Sequence, residues 1–390
     1  MSSQAQETQP IIYLDHAATS FPKPPEVSQA LLYALEQASA NPGRGSHRMA
    51  VQASRELFQC RKTLSKLLDV HNPVDIAFTA NTTVALNMAI QGYLEAGDHV
   101  ISTMTEHNSV RRPLEALKRS IGIEVTYIAV DAQGEINLAE VNQAFTPRTR
   151  LLVCNHSSNL LGSILPISEL SSIAHDHGAK ILVDIAQSAG HIPVHLSQWK
   201  IDMAAFPGHK GLLGPQGTGG LYIAPDMDLN PWIYGGTGSQ SEEINQPNVR
   251  PDRYEAGTPN TPGIAGLQAG ARYVLERSVT KIAEEEQILT QMMIEKLLNI
   301  QGVHVLGPEI GKERTGIVSF IMEYKDSAEI AFRLDREFGI AVRAGMHCTP
   351  LAHIAAGTLA TGAVRASVGY RSTSNDIDRL IEAIQYIDRT

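Results

Sequence analysis

An α/β fold built on a mostly parallel sheet follows from three features of the sequence. Strand-length apolar runs alternate with helical spacing from residue 74 to residue 188. Two of these runs, Leu151, Leu152, Val153 and Ile181, Leu182, Val183, are apolar at every position, as in strands covered on both faces. Short polar clusters follow the runs directly: Asn81, Thr82 and Thr83; Glu106, His107 and Ser109; Asn155 and Asn159. Ligands of such sheets lie beyond the carboxyl ends of the strands, so the clusters are expected to gather at one edge.

The chain opens with residues 1–16, a polar tail expected to fray and a short extended lead-in at Ile11, Ile12 and Tyr13 that ends on Asp15 and His16. Pro22, Pro24 and Pro25 break the chain, and Val27, Ala30, Leu31, Ala34 and Leu35 then keep helical spacing. Pro42, Gly43 and Gly45 mark a loop in which Arg44 and His47 face either a ligand or solvent. Leu57, Cys60, Leu64, Leu67 and Leu68 share one helical face, so Cys60 reads as core. Strands at 76–78 and 99–102 each lead through a polar cluster into a helix, the first over 84–93. Strand–helix pairs continue at 125–128 with 138–145 and at 151–154 with 168–177, where Gly178 stops the helix before a strand over 181–184. A strand at 221–223 and the glycine-containing stretches 234–239 and 255–261 come next. Beyond Pro262 come a helical pattern through Ile288, Leu289, Met292, Met293 and Leu297, strands at 317–322 and 340–342, and a closing helix through Ile377, Leu380, Ile384 and Ile387. The expected division is a lead-in at 1–16, a large domain at 17–261 and a smaller α/β C-terminal domain at 262–390.

The totals exclude several classes of function. With 390 residues, 43% hydrophobic and 19% charged, the chain is long enough for two cores and is not disordered in composition. A formal net charge of −9 without a basic run argues against nucleic acid as a partner. No stretch approaches the roughly 20 apolar residues that span a bilayer, and the polar N-terminus lacks the order of a secretion signal. Cys60, Cys154 and Cys348 are too far apart for a disulfide framework or a zinc site, so no metal is expected and a reducing cytoplasm is the expected compartment.

The chemistry concentrates around residues 206–214. Lys210 stands there among glycine and apolar residues. Away from water a lysine loses its preference for the charged form and becomes a nucleophile able to condense with an aldehyde; in solvent it is a plain loop lysine. Asp184, 26 residues earlier, ends the apolar run over 181–183, with no basic residue close to it in sequence. An ionised carboxylate in that position costs several kcal/mol unless paired. A cofactor with a protonated ring nitrogen supplies the missing charge, and pyridoxal phosphate (PLP) joins such an acid to a lysine. Thr82 and Thr83 sit between strand and helix, where they offer hydroxyls and a helix N-terminus to a phosphate, or simply cap the helix. His107 can stack on a flat ring or hydrogen-bond within its own loop. Cys348 follows a strand beside Arg343, Gly345 and His347; it is a candidate nucleophile or an inconsequential loop thiol, whereas Cys154 lies inside an apolar strand. Arg365, in an apolar strand, needs an anion, either a substrate carboxylate or a structural acid.

Together these residues resemble a known family. Tyr13, Leu14, Asp15, His16, Ala17, Ala18, Thr19; Thr79 to Thr83; Glu106 to Ser109; Val183 to Gln187; Gly208, His209, Lys210; Glu255 to Thr261; Arg343 to Cys348; and Val364 to Ser367 stand in the order found in the class V aminotransferases. Within that family the chain is most similar to the cysteine desulfurases of the SufS-like group, which carry a short catalytic-cysteine loop. The resemblance runs from Tyr13 almost to the C-terminus and implies a PLP-dependent homodimer of fold type I. It implies that Lys210 carries the cofactor, Asp184 meets its ring nitrogen, Gln187 its ring hydroxyl and His107 its face. Thr82, Thr83 and His209 would take the phosphate, with Thr258 reaching across from the other subunit. Asn159 and Arg365 would take the substrate carboxylate, and His16 and Arg44 join them as candidate substrate contacts. The family often has serine where this chain has Pro207, which has neither hydroxyl nor N–H, so one phosphate donor is missing.

The implied reaction removes sulfur from L-cysteine, leaving alanine and a persulfide on Cys348 for transfer to an acceptor protein. Iron–sulfur cluster assembly and tRNA thiolation are both compatible destinations. Two rival readings keep most of the observations. A selenocysteine lyase, aminotransferase or epimerase of the same family would keep the cofactor and change the substrate. A non-catalytic scaffold would keep only the fold, against which Lys210, Asp184 and Cys348 all weigh.

Overall fold

The structure, a computed structural model, describes residues 11–43 and 45–390. Arg44 and the expected tail at 1–10 lie outside the described residues. The lead-in forms β1 (Ile12–Tyr13), followed by the helices α1 (Pro25–Gln37) and α2 (Arg48–Leu67). An alternating series comes next: β2 (Ile76–Thr79), α3 (Thr82–Tyr93), β3 (His99–Thr103), α4 (Asn108–Ser120), β4 (Glu124–Ile128) and α5 (Leu138–Gln143). It continues with β5 (Thr149–Asn155), α6 (Ile167–Asp176), β6 (Lys180–Asp184), β7 (Met203–Pro207) and β8 (Gly219–Ile223). The C-terminal part comprises α7 (Thr261–Arg277), α8 (Val279–Leu298), β9 (Val303–Leu306), β10 (Ile317–Met322), α9 (Ser327–Phe338) and β11 (Ile340–Ala341). The chain closes with β12 (Arg343–Gly345), α10 (Pro350–Ala355), β13 (Ala363–Ser367) and α11 (Ser374–Arg389).

The large sheet has seven strands in the order β2-β8-β7-β6-β5-β3-β4. The run β7-β6-β5-β3-β4 is parallel, while β8 lies antiparallel to both β7 and β2. The expected mostly parallel mixed sheet is therefore present, and β8 is its one strand of opposite direction. Ile181, Leu182 and Val183 are fully buried, which contributes roughly 5–9 kcal/mol at the usual value per large apolar side chain. That gain exceeds the several kcal/mol of holding a carboxylate at the end of the same strand, so β6 can carry Asp184 into the interior.

A second sheet, β12-β13-β10-β9, is antiparallel throughout and packs on a core that includes Leu297, Phe320, Leu334, Val364, Leu380 and Ile384. Leu14 belongs to this second core, and β1 pairs with β11. Ile264, Leu267 and Ala271 of α7 belong instead to the large core. These residues of α7 thus pack with the large core, and the lead-in packs with the second one. Among the described residues no helix is long and apolar enough to cross a membrane.

Candidate functional site

A cavity of about 240 Å³ opens where the parallel strands end. Its walls come from the segments that follow β2, β3, β5, β6 and β7 and from β12, β13 and the loop after β12. Lys210, Asp184, Gln187, His107, Thr82, Thr83, His209, Asn159 and Arg365 all line it. The expected convergence of polar clusters at one sheet edge is what the fold produces.

Lys210 sits in the connection between β7 and β8, and glycine makes that connection possible. A Cβ on Gly208 would stand 2.1 Å from Thr218 Oγ1, and one on Gly211 would stand 2.4 Å from the Ala189 carbonyl. The turn is tied to the segment after β1: the His209 carbonyl accepts from Ser20 N at 3.0 Å, Thr19 Oγ1 at 3.1 Å and Lys23 Nζ at 2.7 Å. Among the described residues Lys210 Nζ has no hydrogen bond or ion pair. Burial, then the guanidinium of Arg365, holds its amine down at about 8, against the opposing pull of Asp184.

Asp184 is buried, and its Oδ1 accepts from Ala186 N at 2.9 Å. Burial pushes this carboxyl up to about 6, although Ala186 N–H and Lys210 favour its charged form. No ion pair among the described residues satisfies it. Beside it, Gln187 Nε2 donates to the Ala17 carbonyl at 3.1 Å.

At the start of α3 the Asn81 side chain accepts from Val84 N at 3.0 Å. This leaves the N–H groups of Thr82 and Thr83 without partners among the described residues, on a helix end that attracts anions. His209, which also lines the cavity, has a buried Nδ1 without a partner among the described residues, and burial holds its ring down at about 4. His107 caps α4: its Nδ1 accepts from Ser109 N at 3.1 Å, which places the proton of the neutral ring on Nε2. Burial and the charge of Lys210 hold this ring down at about 4, so it is neutral over the working range.

Arg365 is almost fully buried on β13. Its Nη1 donates to the Asn159 carbonyl at 2.9 Å, its Nη2 pairs with Asp15 at 3.0 Å, and its Nε has no partner. Asn159 Nδ2 donates to the His347 carbonyl at 2.7 Å while its Oδ1 stays unpartnered. Cys348 is exposed and is not itself a lining residue, but the preceding His347 is. Cys60 and Cys154 are both buried, as the sequence reading expects.

Other expected residues stand apart from the cavity. Thr258 lines a separate groove of about 620 Å³ with Arg61, Phe78 and Glu255. His16 is buried and does not line the cavity; its ring stands edge-on to Tyr13 at 5.1 Å. Arg44 lies outside the described residues. Asn81, Ser109, Asn155, Ser157, Arg343 and His347 line the cavity without having been singled out as site residues. Most of them flank residues that were, so the position just beyond each strand end was the available signal. Among the described residues no group of three or more His, Cys, Asp or Glu could hold a metal ion.

Residues 12–380 match the family described as aminotransferase class-V. A cysteine desulfurase of Escherichia coli O139:H28 is 34% identical over 392 residues, which cover 97% of this chain and 94% of that protein. The apo structure of a cysteine desulfurase from Thermococcus onnurineus NA1 superposes with a TM-score of 0.91 at 32% identity, covering 97% of this chain and 95% of that one. A crystal structure of a cysteine desulfurase from Escherichia coli superposes with a TM-score of 0.87 at 28% identity, over 96% and 94% of the two chains.

Proposed function

The chain belongs to the class-V aminotransferase family, and from that membership we propose that it is a PLP-dependent cysteine desulfurase that passes sulfur through Cys348. Its α/β architecture is that of the fold-type-I PLP enzymes. The single observation that carries the cofactor assignment is the pair formed by Lys210 and Asp184. Among the described residues, an amine without a partner and a buried carboxylate without an ion pair line one cavity, and each suits a group that those residues do not supply.

The residues present fit PLP. Lys210 would hold it covalently, Asp184 would pair with the ring nitrogen, Gln187 would meet the ring hydroxyl and the neutral His107 would lie on the ring face. The free N–H groups and hydroxyls of Thr82 and Thr83 and the unpartnered His209 Nδ1 would take the phosphate, a set that works without a donor at Pro207. Bound there, the electron-poor ring would hold the electron pair released from the substrate carbon. Lys210 Nζ, held near neutrality, is suited to move the α-proton of L-cysteine. Arg365 and Asn159 would orient the substrate through its carboxylate. Cys348 Sγ forms a bond to the substrate sulfur as the carbon–sulfur bond breaks, which leaves alanine and a persulfide.

A homodimer completes this reading. Thr258 does not line the cavity of its own chain, and it borders a groove that the exposed Phe58 also lines. A second copy seated there would bring Thr258 toward the partner's phosphate and cover apolar surface. An acceptor protein for the persulfide is the further partner. A cytoplasmic location suits three free cysteines that form no disulfide.

The test is Cys348→Ala in the purified enzyme. The visible band of lysine-bound PLP is expected to persist while alanine formation from L-cysteine in the presence of a thiol acceptor falls to background. Undiminished alanine formation would remove Cys348 from the reaction.

A further inference from the structure

Arg365 reaches the cavity already paired. The residue is 1% exposed, so its charge requires an anion. That anion is Asp15, 350 positions away in sequence, at 3.0 Å from Nη2. The pairing is built by the backbone, because Asp15 forms a parallel bridge with Ser367, two positions beyond Arg365. No other side-chain hydrogen bond is made by the Asp15 carboxylate among the described residues, and its side chain is 21% exposed. Asp15 does not line the cavity, whereas Arg365 does, and Arg365 Nε has no partner among the described residues.

The cavity wall therefore holds a guanidinium that already donates to one carboxylate and one carbonyl and keeps the N–H of Nε open among the described residues. A substrate carboxylate arriving at Arg365 would be a second anion on one cation. Two carboxylates sharing a charged group repel each other, and the cation is stabilised less by the second than by the first. Asn159 gives the same arrangement a second constraint, since its carbonyl takes one N–H of Nη1.

We infer that Asp15 is the resting counter-ion of Arg365 and sets the affinity of the site for carboxylates, because substrate and product must share Arg365 with it. This rests on the reading of Arg365 as the substrate-carboxylate group. Asp15 keeps the buried cation compensated between turnovers and limits how tightly the carboxylate of alanine is held. It acts on the substrate through Arg365 and is a positioning and specificity residue.

The experiment compares Asp15→Asn, Asp15→Glu and Arg365→Gln in the PLP-loaded enzyme. Asparagine retains an oxygen that can accept from Nη2 and removes the charge. In Asp15→Asn the KM for L-cysteine and the dissociation constant of L-alanine, read from the visible band and from the alanine-induced rise in thermal midpoint, should both fall about threefold to tenfold. Asp15→Glu, which keeps the charge, should stay near the wild-type values. Asp15→Ser removes the same charge with a smaller side chain and repeats the test should Asp15→Asn not fold. An unchanged or raised KM together with unchanged alanine binding in the charge-removing variants would overturn the inference. Arg365→Gln separates the two readings: a raised KM there retains the carboxylate assignment whatever Asp15 does, and an unchanged KM there refutes that assignment itself.

Discussion

Asn159 Nδ2 donates to the backbone carbonyl of His347 at 2.7 Å, joining the loop after β5 to the residue that precedes Cys348. The next two residues are tied to the loop between β3 and α4: the Cys348 carbonyl accepts from Asn108 N at 2.8 Å, and Thr349 Oγ1 donates to the Glu106 carbonyl at 3.0 Å. His347 and Cys348 both adopt left-handed backbone, with φ of 48° and 58°. Non-glycine residues held there cost about 1–3 kcal/mol each and persist only where their surroundings impose them. The segment carrying the thiol is thus stapled, in a strained shape, to the two loops that bear the proposed substrate and ring-stacking groups.

Asn159→Ala should release that staple. Loss of one buried donor costs about 1–3 kcal/mol, so persulfide formation on Cys348 is expected to slow by one to two decades. Mass spectrometry of a rapidly quenched single turnover measures it. The visible band of lysine-bound cofactor should be unchanged, since Lys210 lies in a separate turn. Equal loss of both signals would mean that Asn159 serves the fold rather than the thiol segment.

Lys210 predicts a pH dependence for cofactor uptake. Burial and Arg365 lower its amine to about 8, so in the cofactor-free protein the nucleophilic neutral form accumulates as pH rises through that value. The rate of PLP attachment, followed by absorbance, should rise from pH 7 to 9 and level off above it. Arg365→Gln removes the second cause of the lowering and should move the profile to higher pH. A profile that keeps rising toward the ordinary lysine range, about 10.4, would place Lys210 in solvent.

Much of this site was legible because chemistry-bearing residues stand where strands stop. Asp184 ends a run that is apolar at every position, and Thr83 and His107 follow strands directly, so one rule about parallel sheets collects them. Lys210 needed glycine punctuation as well. Asp15 is legible as an acid in the lead-in and Arg365 as a cation in an apolar strand, but their contact spans most of the chain and no local pattern encodes it. The antiparallel placement of β8 escaped for a similar reason: the strand reads the same in either direction, and its direction is decided by the connection that carries Lys210. The packing of α7 on the large core was not legible because helical spacing shows that a face is buried without showing against which core.

Arg314 predicts a large effect on stability away from the chemistry. It is buried without an acid and donates to the carbonyls of Pro308 at 3.0 Å, Leu161 at 2.7 Å, Leu306 at 3.2 Å and Ile317 at 2.7 Å. Those acceptors come from the small body and from the loop that carries Asn159, so the guanidinium fastens one to the other. Arg314→Leu strands the carbonyls and should lower unfolding stability by about 3 kcal/mol or more. Urea denaturation of the PLP-loaded enzyme would show a lower midpoint, and a stability loss below about 1 kcal/mol would show that water replaces the side chain.

Glu106 carries the clearest linkage of stability to pH. Its side chain is fully buried; Oε1 accepts from Thr103 Oγ1 at 2.6 Å and Asn155 N at 2.9 Å, and Oε2 has no partner. Burial pushes its carboxyl up to about 8, against the pull of those two donors and with a further push from Asp184. The folded state therefore keeps a proton that the unfolded chain has released above its own value near 4.3. Between that value and about 8 the unfolded state binds fewer protons, so this group makes stability fall as pH rises, by about 1.4 kcal/mol for each pH unit crossed. Glu106→Gln keeps an acceptor for Thr103 and Asn155 and does not ionise, so it should be closest to wild type near pH 5 and progressively more stable than wild type toward pH 8. Urea unfolding of both proteins across that range measures the difference. A constant offset between the two curves would show that Glu106 is already ionised in the folded protein and that its charge is compensated within the thiol-bearing site.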